Sequence, residues 1–128
     1  MVRVMKYRIL KISLVFVSML FVHIASAHHS PVAFNTDVAD FTLQGEIQSV
    51  DFRNPHSAMV LRVTNDDGSE SDWEIEFSSI NLLVRRGWDF DQLAAGDQVT
   101  CIGNPSAMGK QEMYMWSIVL ADGTEFGR

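Results

Sequence analysis

The chain has 128 residues with 10 Lys and Arg against 16 Asp and Glu, a formal net charge of −6. That balance argues against nucleic-acid binding, which depends on neutralising phosphates with basic side chains. A single cysteine, Cys101, rules out an intramolecular disulfide framework.

The amino terminus reads as an address. Arg3, Lys6, Arg8 and Lys11 form a basic region, Ile12 to Ile24 is an apolar run, and Ala25-Ser26-Ala27 fits a small-x-small cleavage site. A bilayer span needs roughly 20 apolar residues, and polar His28, His29 and Ser30 follow this shorter run at once. The pattern predicts a cleavable signal over 1–27, a periplasmic location, and no membrane span after cleavage. Removing the signal takes all four of its basic residues and leaves a mature net charge near −10. Such a surface favours solubility and cationic partners without naming one. About 100 residues remain, enough for one domain with one core.

Residues 28–40 lack a sustained period and contain Pro31, which predicts an extended arm leading into a barrel domain over 41–128. From Phe41 the hydrophobic period becomes two. Phe41, Leu43, Gly45 and Ile47 alternate with polar residues, and Val50 and Phe52 resume out of phase, predicting a first strand over 41–52 with a bulge near 45–49. Asn54-Pro55-His56 breaks it. Ala58 to Val63 forms a second strand, and Asn65-Asp66-Asp67-Gly68 supplies a hairpin turn. The third strand, Ser71 to Phe77, sends Trp73, Ile75 and Phe77 one way and Asp72, Glu74 and Glu76 the other, with Glu74 and Glu76 reading as solvated surface.

A short helix follows. Ser78 or Ser79 caps it, Ile80, Leu83 and Val84 share a face, Gly87 ends it, and Trp88 stands where an apolar residue packs back on Leu83. Gly96-Asp97 turns into a fourth strand over Gln98 to Gly103, Met113 to Leu120 makes a fifth, and Asp122-Gly123 turns into a tail through Phe126. The fold class is therefore mainly β. Three strands, one short helix and two strands give the order of a small five-stranded OB-like Greek-key barrel.

Histidines carry the most informative chemistry. Cleavage after Ala27 makes His28 the amino terminus, so its α-amine and ring Nδ1 chelate one metal while His56 supplies a third nitrogen, a histidine brace. Nitrogen-rich tetragonal sites suit Cu(II) by geometry and by the Irving–Williams order. From His28 to Phe41 the arm spans up to about 40 Å, enough to fold back to the loop holding His56. The donors must shed protons, so affinity falls in mild acid. His29 offers a fourth donor or a competing chelate of amine, backbone amide and ring. The structural alternative makes His28 and His29 a polar tail and His56 a loop hydrogen-bonder.

Met108, Met113 and Met115 surround the fifth strand. Thioethers favour Cu(I), yet core filling is the commoner use of methionine. Cys101 lies in an apolar run that predicts a buried, inert thiol, with pairing between chains as the alternative. No nucleophile elbow, readable Cys-His pairing or phosphate-cradling loop is present, so no enzyme is required.

His28-His29-Ser30 after the signal, Asn54-Pro55-His56, Trp73-x-Glu-x-Glu, Arg85-Arg86-Gly87-Trp88 with Leu93, Gly96-Asp97 and Asp122-Gly123 follow in order. This set resembles a family of small exported bacterial proteins classed as a domain of unknown function. The resemblance carries no activity, but it implies that the two histidine sites belong to one pattern. The expectation is a periplasmic copper carrier or buffer using His28, His29 and His56. The alternative is a metal-free binding or accessory module that takes a cationic ligand, a small molecule or a periplasmic protein on its barrel face. An oxidative copper enzyme is a third class, without a substrate groove to suggest it.

Overall fold

In the computed structural model of the chain, residues 33–38 and 40–127 are described. The predicted signal over 1–27, the start of the arm, and His28 and His29 lie outside the described residues. The element order is β1 (Phe41–Asp51), β2 (Ser57–Thr64), β3 (Glu70–Phe77), α1 (Ile80–Arg85), β4 (Gln98–Pro105), β5 (Glu112–Leu120) and β6 (Glu125–Phe126).

Strand pairing closes the sheet on itself. β1 pairs antiparallel with β2 and β4, β2 with β3, and β4 with β5, while β3 and β5 join in parallel. This is a closed five-stranded mixed barrel with the predicted OB-like connectivity, and closure removes the exposed edges an open sheet would leave. The tail adds one further strand: β6 pairs with β5 through Ile118↔Phe126 and Val119↔Glu125. Two residues are too short to show a period, so the sequence gives no sign of it. β6 also satisfies a buried hydroxyl, because Ser117 Oγ donates to Glu125 Oε1 at 2.6 Å.

The predicted bulge is present. β1 shifts register against β2 between Ile47 and Ser49, so Leu43 and Ile47 face inward while Val50 rejoins the core from the other phase. The hairpin between β2 and β3 closes as Gly68 N–H donates to the Asn65 carbonyl at 2.9 Å, with Gly68 at φ +82°, a region that costs other residues strain.

The inward sides of the strands build the core. Ile47, Met59, Leu61, Ile75, Phe77, Cys101, Met113, Met115 and Ile118 are all buried. Phe77 stacks on Trp88 at 5.9 Å, and Trp88 meets Phe126 at 5.5 Å, which seals the end of the barrel beneath α1. Helix α1 stops as the sequence predicts. Trp88 N–H donates to the Leu83 carbonyl and Gly87 N–H to that of Val84, both at 3.1 Å, with Gly87 at φ +76°.

Its buried face is narrower than expected. Leu83 is in the core, but Val84 is 59 % exposed. One and a half turns over a barrel end present only one residue squarely to the core. Ser79 is the N-cap, yet its side chain makes no capping bond. After α1 a 3-10 turn, Phe90–Gln92, is capped by Asp89, and Phe90 packs on Phe52 at 4.4 Å. Among the described residues no helix is long and apolar enough to cross a membrane.

Candidate functional site

The sequence-derived site residue within the described part is His56, and the loop carrying it is tied down on several sides. β1 ends at Asp51, Pro55 lies in the turn that follows, and the chain re-enters the sheet at buried Ser57. Ser57 Oγ accepts from Arg53 N–H at 3.3 Å and approaches the Arg53 carbonyl at 3.4 Å. Ile80 N–H donates to that carbonyl at 3.1 Å, and Ser57 N–H to the Ser78 carbonyl at 3.3 Å. Arg53 reaches back through Nε to the His56 carbonyl at 3.3 Å and pairs through Nη1 with Asp51 at 3.2 Å. Both ends of the turn are thus fixed, so the His56 ring projects from a held backbone.

Register decides what that ring meets. Ala58 faces Glu76 across β2 and β3, Glu76 faces Tyr114 across β3 and β5, and Tyr114 faces Asn104 across β5 and β4. Cross-strand partners share a sheet face, so these four form one row on the outside of the barrel. His56, just before β2, pairs through Nδ1 with the Glu76 carboxylate. Its ring meets Tyr114 edge-on at 6.3 Å. Glu76 is therefore not the solvated surface residue that alternation predicts. Glu74, two residues earlier on the same face, is exposed as expected.

The arm joins the same row. Its described portion lies along the β4–β5 connection, with Phe34 bridged to Ser106. Asn35 N–H donates to the Pro105 carbonyl at 2.8 Å, and Ala107 N–H to that of Ala33 at 2.9 Å. Asn104 Nδ2 donates to the carbonyls of Asn35 at 3.3 Å and Val38 at 3.2 Å, and the Phe34 ring packs on Tyr114 at 5.8 Å. This stretch docks on the barrel instead of standing away from it. The signal available in the sequence is Phe34, which stands where the arm has no other Phe, Tyr or Trp.

Among the described residues no group of three or more His, Cys, Asp or Glu side chains is placed to hold a metal. Among the described residues the barrel thus offers one imidazole backed by a carboxylate, and any further imidazole would come from outside them. Met113 and Met115 are buried in the core and Met108 is 67 % exposed, so the three thioethers are not gathered.

Cys101 is fully buried, and burial pushes its thiol up to about 12. Disulfide exchange needs a thiolate within reach, so this site does not pair chains. Iodoacetamide at about pH 8 is expected to leave Cys101 unmodified in the folded protein and to alkylate it fully in denaturant; native-state labelling would contradict its burial.

Part of the acidic surface has a local explanation. Asp89, Asp91, Asp97 and Asp122 line an open cleft beside Phe126. Asp89 accepts from Asp91 N–H at 3.2 Å and from Gln92 Nε2 at 2.9 Å. Asp97 accepts from Ala94 N–H at 2.8 Å, and Asp122 from Thr124 N–H at 2.8 Å. The Thr124 contacts hold the Asp122 carboxyl below its usual range. These carboxylates cap their own turns.

A family model described as a family of unknown function (DUF6152) matches residues 17–114. No curated protein and no solved structure matches the chain.

Proposed function

The chain belongs to the family of unknown function DUF6152, and on that premise we propose that it is a periplasmic metal-binding protein that carries or buffers copper. Signal cleavage after Ala27 frees His28, which binds through its α-amine and ring; His56 supplies the third nitrogen, and His29 is a fourth or competing donor. Copper is the cargo, favoured by a nitrogen-rich donor set.

The observation that carries this reading is the docked arm. Phe34 packs on Tyr114 and Tyr114 on His56, through ring separations of 5.8 and 6.3 Å. Six steps of chain separate His28 from Phe34 and span up to about 20 Å, farther than both ring separations together. The docked segment thus supports a short tether between the amino terminus and His56. The donor types also fit: an imidazole and an amine are borderline ligands that copper takes readily.

Copper titration of the natively processed protein, its amino terminus confirmed by mass spectrometry and its spectrum read by EPR, tests the proposal. The expected result is a stoichiometric type 2 signal with nitrogen couplings that His56→Ala removes. No saturable binding by protein beginning at His28 would overturn it, and the function would pass to a metal-free accessory module.

A further inference from the structure

We propose that Glu76 is the positioning residue of the metal site, fixing His56 as the Nδ1–H tautomer so that Nε2 is the nitrogen offered to a ligand. This deepens the copper reading and rests on it for its functional meaning, but the orientation itself is a property of the barrel.

An imidazole has two nitrogens, and neutral histidine protonates one while the other keeps its lone pair. In His56, Nδ1 is shut off from solvent and faces the Glu76 carboxylate, although the side chain as a whole is 34 % exposed. The exposed part of the side chain therefore lies on atoms other than Nδ1. A carboxylate accepts and does not donate, so it draws the proton to Nδ1 and leaves Nε2 as the unprotonated nitrogen. Free imidazole prefers the opposite tautomer, so the arrangement depends on its acceptor.

Glu76 can hold this role because it is itself held. It is paired near the end of β3, with Ala58 on one side and Tyr114 on the other, and Ala58 is too small to crowd the ring from β2. Tyr114 closes the flank edge-on. The ring is thus limited in rotation by one carboxylate and one aromatic wall. Metal-binding histidines characteristically donate their other ring N–H to such a carboxylate, and loss of that partner weakens metal affinity about 10–100-fold.

The test reads the tautomer on the metal-free protein by long-range 1H–15N NMR, well above the imidazole titration. The expected spectrum has a protonated Nδ1 and an unprotonated Nε2 on His56. Glu76→Ala exchanges them, and Glu76→Gln, whose amide oxygen still accepts, keeps the original pattern at least in part. On the copper-loaded protein, Glu76→Ala is expected to raise Kd about 10–100-fold and Glu76→Gln to raise it less. An Nε2–H tautomer in the unmodified protein, or the same tautomer after Glu76→Ala, overturns the inference. If copper does not bind while the tautomer behaves as described, the orienting role stands and the copper reading alone falls.

Discussion

Replacing His28 and His29 together is expected to weaken copper binding at least about 100-fold, more than loss of an outer-shell partner does, with no change in the unfolding of the barrel. His29→Ala alone should leave affinity and EPR parameters close to those of the unmodified protein. The reason is the difference between two chelates that share the amino terminus. In the brace, His28 closes a ring between its amine and its own imidazole, and His56 completes the set. In the competitor, the amine, the His29 amide and the His29 imidazole suffice, and His56 is a bystander. Isothermal titration of the three processed proteins separates them. If His29→Ala abolishes binding while His56→Ala does not, the terminal chelate is the site and the barrel merely carries it. The double variant removes both modes and leaves the amine and His56, neither part of a chelate ring. Both histidines precede Phe34, whose contacts, with those of Asn35, dock the arm, so the thermal transition provides the check that only the metal site has changed.

How far the sequence discloses this arrangement depends on the range of the interaction concerned. Alternation in Trp73, Ile75 and Phe77, the Asn65–Gly68 turn and the Gly87-Trp88 stop are each decided within a few residues, and each appears in the structure as read. The bulge between Ile47 and Ser49 is legible as a phase slip. Glu76 is not, because alternation says only that it faces outward. What it faces depends on the hairpin register, which makes residues equidistant from Asp67 into partners, so that Ser57 lies opposite Phe77. Applied to His56, that count places the histidine beside the end of the third strand, and it was the available signal for the pair with Glu76. Tyr114 could not be found this way. Its place beside Glu76 arises from the parallel β3–β5 closure, a contact set by the tertiary structure alone.

The metal reading and the barrel thus depend on different parts of the chain, and the part linking them is the outer row of Glu76, Tyr114 and Asn104. Glu76 orients His56, Tyr114 receives Phe34, and Asn104 binds the carbonyls of the arm. A disturbance of β5 relative to β3 or β4 therefore reaches the arm and the histidine together, although neither belongs to the core.

Gly103→Ala supplies such a disturbance and is expected to be the most damaging methyl addition in the barrel, costing about 3 kcal/mol or more, at or above the upper end for overpacking. Gly103 faces the interior of β4, opposite Met115, where the β4–β5 register shifts. A Cβ there would collide with the Tyr114 carbonyl oxygen and lie 2.8 Å from the Met115 Cα. Both obstacles are backbone, so no rotamer change relieves them; β4 and β5 must separate or the shifted register must be lost. For a domain of this size that cost lowers Tm by roughly 12 °C or more. Gly68→Ala is the comparison. It suffers from its positive φ, but a Cβ there meets nothing within 4 Å, so its cost should stay near 1 kcal/mol. Calorimetry of the two variants would show whether close backbone approach or dihedral preference dominates. A Tm loss for Gly103→Ala no larger than for Gly68→Ala would mean that β4 and β5 separate easily, and the row beside His56 would then be too loosely held to orient it.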